Sequence, residues 1–217
     1  NITGSNGSAS RWYAGNLIVG EAGEGGIFVE AGGQLDTFGP ATIAQDETSV
    51  GSEILVRGEG SLFDGGDVTV ADHGVGGLAA HDGGTIDLSG ALRVADKPLS
   101  IGQVTIRDAT LAAGASVFGD EGLAFVTFEQ SADVDLGDTT IGEQTDGRGV
   151  VDVETGANVF IDDSLILGHA TESSGELNVV GFAEDESGMT PSTLVVDETI
   201  QAAVIGRAGS GTMTVSN

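Results

Sequence analysis

Residues 16–35 read NLIVGEAGEGGIFVEAGGQL, a stretch in which three short apolar segments are separated by glycine and acidic residues. The first segment ends in a small residue, and the same ending returns along the whole chain at steps of 23 to 27 residues, with a last step of 38. Such a period is typical of one structural unit repeated along a rod, each unit packing against its neighbours. The endings are Val19-Gly20, Ile43-Ala44, Val70-Ala71, Val94-Ala95, Phe118-Gly119, Ile141-Gly142, Leu167-Gly168 and Ile205-Gly206.

Each repeat contains two further apolar segments after this ending. In the second segment the residues on both sides of the middle position are always apolar, whereas the middle position varies from Phe28 to Asp152. This alternation predicts a strand with one buried face and one exposed face. The third segment is also predicted to be a strand, centred in successive repeats on Leu35, Leu62, Ile86, Leu111, Val134, Val159 and Leu194.

Three short strands in a unit of roughly 24 residues predict an all-β fold, a parallel β-helix (β-solenoid) of about eight coils. Each strand would pair with its equivalent in the next coil, about 4.8 Å along the axis. The whole chain, residues 1–217, is then a single solenoid segment. Because it starts and stops inside a repeat, we expect it to be a piece of a longer solenoid.

Charge and composition limit the partners. The chain has 34 Asp and Glu residues against 7 Lys and Arg, a net charge of −27, and no cysteine. Such a surface repels phosphate groups, so we expect neither nucleic acid binding nor direct membrane insertion. His73 and His81 are predicted to lie at different corners, with His169 several coils away, and the outward residues Asp36, Asp87 and Asp135 are predicted to lie on alternate coils. A metal site needs converging ligands, so neither a metal nor a cofactor is predicted.

The repeat quoted above resembles the repeat of type V secretion passengers, the exported domains of Gram-negative autotransporters. The same pattern recurs in residues 165–179 and 204–215, and the opening GSASRW of residues 7–12 resembles the element that precedes a unit in this family. The resemblance implies a right-handed β-helix that is exported through the outer membrane to the cell surface. It also implies a structural and adhesive segment that attaches to a host-surface or matrix protein or glycan.

The exit of the second strand carries a charged residue in successive repeats, and we name this column the charged strip. One interpretation is an acid–base or sugar-binding strip, as in β-helix enzymes that bind or cleave polysaccharides. The other is a ladder of surface charges that relieves repulsion between stacked strands. No serine or cysteine nucleophile has a matching histidine and acid at a recognisable spacing, which favours a non-enzymatic protein. The strip consists of Glu30, Arg57, His81, Arg107 and Glu129.

Residues 181–192 interrupt the period. The step from second to third strand is usually five or six residues, but it is fifteen from Val179 to Leu194. The surplus predicts a protruding loop, and insertions in solenoids often carry contacts. Its residues favour a binding or cation-sensing tip with weak calcium-dependent self-association, whereas the alternative is a neutral insertion, since long loops cost little. The tip residues are Phe182, Glu184, Asp185, Glu186 and Met189.

Overall fold

The computed structural model describes residues 1–4, 9–185, 188–197 and 203–216, and within 182–190 it describes the backbone alone. The described residues form β-strands and turns, and none of them belongs to a helix that could cross a membrane. In chain order the strands are β1 (Ile2–Thr3), β2 (Arg11–Ala14), β3 (Leu17–Val19), β4 (Gly26–Glu30), β5 (Gln34–Thr37), β6 (Ala41–Ile43), β7 (Val50–Arg57), β8 (Leu62–Gly65), β9 (Val68–Val70), β10 (Val75–His81), β11 (Thr85–Val94), β12 (Ile101–Arg107), β13 (Thr110–Phe118), β14 (Leu123–Glu129), β15 (Asp133–Ile141), β16 (Arg148–Glu154), β17 (Asn158–Ile161), β18 (Leu165–Leu167), β19 (Ser174–Val180), β20 (Phe182–Asp185), β21 (Gly188–Pro191), β22 (Thr193–Val196), β23 (Ala203–Ile205) and β24 (Ser210–Ser216).

The strands stack in parallel as a β-solenoid of about seven turns, about 25 residues apart, so the predicted parallel β-helix is confirmed. One nine-stranded sheet has the order β1-β4-β7-β10-β12-β14-β16-β19-β24. The other sheet follows β2-β5-β8-β11-β13-β15-β17-β22 and also includes the short strands β3, β6, β9, β18 and β23. In three central coils the third and first strand positions merge into one long strand, namely β11, β13 and β15.

The core consists of columns of equivalent residues, as the period predicted. In the column of the first strand, Val19 pairs with Ile43, Ile43 with Val70, and the series continues to Leu167. Every member from Val19 to Leu167 is at most 4% exposed. Each coil therefore buries its apolar side chains against the coils before and after it.

The third-strand prediction is wrong by one residue at Leu62. The buried position belongs to Phe63, which pairs with Leu35 on one side and Ile86 on the other, whereas Leu62 is only partly buried. The turn before β8 is one residue longer than in neighbouring coils, which moves the strand by one position. Because neighbouring residues in a strand point to opposite faces, every side chain of β8 lies on the face opposite to the predicted one.

The small residue after each first strand has a structural reason. At all eight positions the backbone is left-handed, with φ between 56° and 76°, a conformation that favours residues without a bulky side chain. At Gly142 an added Cβ would also overlap the carbonyl oxygen of Ser174 in the next coil. Ala44, Ala71 and Ala95 hold the same conformation with a buried methyl group.

Candidate functional site

The charged strip forms one continuous column on the nine-stranded sheet. The sheet register pairs Glu30 with Arg57, Arg57 with His81, His81 with Arg107, and Arg107 with Glu129. All five side chains lie at the last outward position of their strands, where β4, β7, β10, β12 and β14 enter the turn. Five polar side chains thus lie about 4.8 Å apart along the axis.

Asp82 contacts both arginines at the centre of the strip, although the predicted strip did not include it. The Nε atom of Arg57 donates to Oδ2 of Asp82 at 3.0 Å, and Nη2 of Arg107 lies 3.9 Å from Oδ1. Asp82 reaches both arginines because it sits in the turn with a left-handed backbone, φ 53°. These side chains are 39% to 58% exposed, so the ion pairs contribute about 1 kcal/mol or less. The two positive charges are therefore partly neutralised within the protein.

His81 lies between the two arginines and is half-buried. Burial lowers the pKa of its imidazole, and the positive charge of Arg107 lowers it further. The ring is therefore neutral at pH 7. Its Nε2 atom is buried and has no hydrogen-bond partner among the described residues. The Nε2 atom is thus not open to solvent in this conformation.

A second charged column follows the left-handed corner. Asp72, Asp96, Asp120 and Glu143 stack on successive coils, and we name them the corner ladder. The backbone fixes the stacking, since Asp96 N donates to Ala71 O at 3.1 Å and Asp120 N donates to Ala95 O at 3.1 Å. Among the described residues no group of three or more acids and histidines is arranged to hold a metal ion, and the ladder is no exception.

Asp120 is the buried member of the corner ladder, only 7% exposed. Burial raises the pKa of its carboxyl group to about 6, and the negative charges of Glu143 and Asp96 act in the same direction. Arg93 opposes the shift through Nη1, which lies 3.1 Å from Oδ2 of Asp120. The carboxylate of Asp120 is thus held in a site that favours its protonated form.

Asp120 makes the stability of the solenoid depend on pH. A carboxyl group with a raised folded-state pKa stabilises the fold below its unfolded pKa of about 3.9, and this contribution is lost as the pH rises through 6. Raising the pH from 4 to 7 should therefore increase the free energy of unfolding of Asp120→Asn by about 2 kcal/mol relative to that of the natural protein. Urea unfolding at both pH values measures this difference. Equal pH profiles for Asp120→Asn and the natural protein would contradict the assignment.

A third set of acids includes one residue that the prediction did not name, Asp64. Asp36, Asp64 and Asp87 occupy one outward column on three successive coils, because Asp36 pairs with Asp64 and Asp64 with Asp87. Asp36 and Asp87 therefore lie on alternate coils as predicted, and the one-residue shift in β8 places Asp64 between them. Ala112 interrupts the column before Asp135.

The predicted loop tip is a β-hairpin in its backbone. Strands β20 and β21 pair antiparallel, with Phe182 opposite Pro191 and Glu184 opposite Met189. Asp185 pairs with Gly188, whereas Glu186 lies outside the described residues. At the base, Ser192 N donates to Gly181 O at 2.9 Å, which brings the two ends of the insertion together. The hairpin therefore leaves the rod at one corner, and the proposal that its side chains form a tip stays a prediction.

In comparisons with known protein families, curated proteins and solved structures, the chain has no match. The functional assignment therefore depends on the residues and on their geometry.

Proposed function

We propose that the chain is a non-enzymatic structural and adhesive segment of an exported bacterial surface protein of the autotransporter passenger type. It would act at the cell surface and attach to a host-surface or matrix protein or glycan. Two features support this proposal: the repeat pattern of residues 16–35 resembles the passenger repeat, and the solenoid presents long columns of side chains. A rod with repeated outward columns offers an extended surface for contact.

The observation that carries the non-enzymatic part of the proposal is the internal neutralisation of the charged strip. Arg57 and Arg107 both face Asp82, and the buried Nε2 of His81 does not open to the surface. Catalysis would require an acid and a base aimed at a common point where a substrate atom can sit. In the strip the charged groups face each other instead, as they do in a ladder of surface charges.

A binding array decides the adhesive part of the proposal. The full chain, labelled at its amino terminus, is applied to immobilised matrix proteins and to a panel of neutral, acidic and sulfated glycans. We expect saturable binding to at least one surface and no change in the chain length of any soluble polysaccharide. Absence of saturable binding across the panel would contradict an adhesive role and leave a mechanical stalk.

A polysaccharide-cleaving enzyme is the second candidate, because two arginines and a histidine occupy successive coils of one strip. This arrangement could bind the carboxylates of an acidic polysaccharide. Turnover of uronic acid polymers, followed by the absorbance of unsaturated ends or by reducing ends, measures it. Turnover that disappears in Arg107→Ala or Glu129→Gln would replace the non-enzymatic proposal.

The acidic hairpin leads to a prediction about calcium. At a net charge of −27 the rods repel one another at low salt, and calcium should weaken this repulsion. We expect weak self-association in millimolar calcium, reduced in the triple variant Glu184→Ser, Asp185→Ser, Glu186→Ser. Sedimentation velocity with and without calcium measures the response. A triple substitution of exposed acids elsewhere, Glu47→Ser, Asp87→Ser, Asp135→Ser, serves as the matched control. Equal responses of both variants would make the hairpin a neutral insertion.

A further inference from the structure

Two exposed aromatic rings stack near the start of the described solenoid. The ring centroids of Tyr13 and Phe38 are 5.9 Å apart and the ring planes differ by 4°. Tyr13 is 55% exposed and Phe38 is 78% exposed. Tyr13 lies in β2 and Phe38 directly follows β5, whereas the charged strip lies on the nine-stranded sheet. We name this pair the aromatic platform.

A guanidinium group already lies over one member of the platform. The Cζ atom of Arg11 is 5.4 Å from the centroid of Tyr13, within the distance of about 6 Å at which a cation is attracted by an aromatic face. Asp36 holds this guanidinium in place, since Arg11 Nε lies 2.9 Å from Oδ2 of Asp36. Arg11, Tyr13 and Asp36 thus bring together a cation, an aromatic ring and a carboxylate in two adjacent coils.

The side chain of Phe38 is open to solvent. The pairing of Asp36 with Asp64 brings Gly65 next to Thr37, whose Oγ1 atom would lie 2.8 Å from an added Cβ at Gly65. A Cβ added to Gly66 would meet no atom of the described residues within 4 Å. Because Phe38 is 78% exposed, a planar group from another molecule can reach its ring.

An exposed carboxylate lies in the same column as one member of the platform. Asp64 is exposed and lies in the same outward column as Tyr13 and Asp36. Asp36, between Tyr13 and Asp64 in this column, is already paired with Arg11. Together with the net charge of −27, these acids favour a cationic group over a neutral sugar at the platform.

We propose that the aromatic platform binds an arginine side chain of a basic protein segment, stacked on Phe38 and paired with Asp64. This would repeat, between two molecules, the arrangement that Arg11, Tyr13 and Asp36 form within one. Arginine fits better than lysine because its planar guanidinium stacks on a ring and forms two parallel hydrogen bonds with a carboxylate. The proposal concerns a surface separate from the charged strip and does not depend on the strip being adhesive or catalytic.

The test uses the full chain and three short peptides. The probes are acetyl-Gly-Arg-Gly-Arg-Gly-amide, its lysine counterpart, and its citrulline counterpart, which keeps the shape of arginine without the charge. Dissociation constants come from titrations followed by NMR of the aromatic rings. We expect the arginine peptide to bind most tightly and to shift the Phe38 ring resonances, with the lysine peptide weaker and the citrulline peptide weakest.

Matched variants separate stacking from diffuse attraction to an acidic protein. Phe38→Leu should weaken binding of the arginine peptide about fivefold. Phe160→Leu, which removes another outward aromatic ring from the same sheet, should leave the affinity unchanged. Asp64→Asn should weaken binding more than Asp87→Asn does. Circular dichroism confirms that each variant is folded, as expected for exposed positions.

Two outcomes overturn the proposal. Equal affinities of the Phe38→Leu and Phe160→Leu variants would mean that the peptide binds by net charge alone. A shift of the Phe38 resonances by an N-acetylglucosamine oligomer, in the absence of a shift by the arginine peptide, would make the platform a glycan site instead.

Discussion

Replacing Ile106 with Asp is expected to destabilise the solenoid by about 4 kcal/mol or more, because it buries a charge that has no partner. Ile106 is 0% exposed and lies in the core column between Ala80 and Phe128. The residues directly above and below it are apolar, so neither a counter-charge nor a hydrogen bond can compensate the carboxylate. Urea unfolding followed by circular dichroism measures the loss.

The neighbouring residue supplies the control. Thr105 precedes Ile106 in β12 and points to the outward face, where Ala79 and Thr127 flank it in the adjacent coils. Thr105→Asp introduces the same charge one position away and should cost about 1 kcal/mol or less. Equal losses in the two variants would mean that the inward and outward faces of β12 are assigned wrongly.

Gly175→Ala is expected to destabilise the solenoid by about 3 kcal/mol, because the added methyl group overlaps neighbouring atoms. A Cβ at this position would overlap the carbonyl oxygen of Ile141 in the preceding coil and come within 2.8 Å of Gly168 N. Both obstacles are backbone atoms that take part in the hydrogen bonding between coils, so they cannot move without breaking it. Thermal and urea unfolding measure the change.

Gly77→Ala is the matched substitution for this test. Gly77 lies on the outward face of the same sheet, and the nearest atom to an added Cβ is Gln103 O at 3.9 Å, an ordinary contact distance. The methyl group fits there and also restricts the unfolded chain, so stability should change by less than about 1 kcal/mol. A loss at Gly77 as large as that at Gly175 would indicate a general need for glycine in the sheet.

The core columns could be predicted because they depend on two regularities that the sequence displays directly. Alternation along the strand separates Ile106 from Thr105, and the repeat aligns Val70 with Val94. Both regularities persist even where the outward residues vary, since only the buried face is constrained. The charged strip could be predicted from the same register, because each of its members lies one position after a core residue.

The errors and omissions arise in turns. Leu62 and Phe63 are both apolar, so hydrophobicity could not select the inward residue once the preceding turn had gained one position. The contacts of Asp82 depend on its left-handed backbone, which a single sequence does not reveal for a residue other than glycine. A turn sets where its side chains point through φ and ψ, and no periodicity constrains these angles.

The aromatic platform was missed for a related reason. Tyr13 and Phe38 are 25 residues apart, which matches the repeat closely enough to place them in adjacent coils. Their stacking, however, is diagonal across the sheet, since Tyr13 pairs with Asp36 in the backbone register. Only comparison of outward positions with diagonal neighbours could have found the pair in the sequence.

The hairpin at β20 and β21 shows where this architecture can accept new sequence. The coils on both sides keep their ordinary pairing, with Val159 opposite Leu194 and Val179 opposite Val215. The hydrogen bond between Ser192 and Gly181 keeps the two ends of the insertion together. Lengthening a segment whose ends are already joined costs little, because the entropy of closure grows only with the logarithm of its length. Evolution can thus exchange whole modules at this corner while the rod itself remains unchanged, so that related rods can differ in what they carry without differing in how they fold.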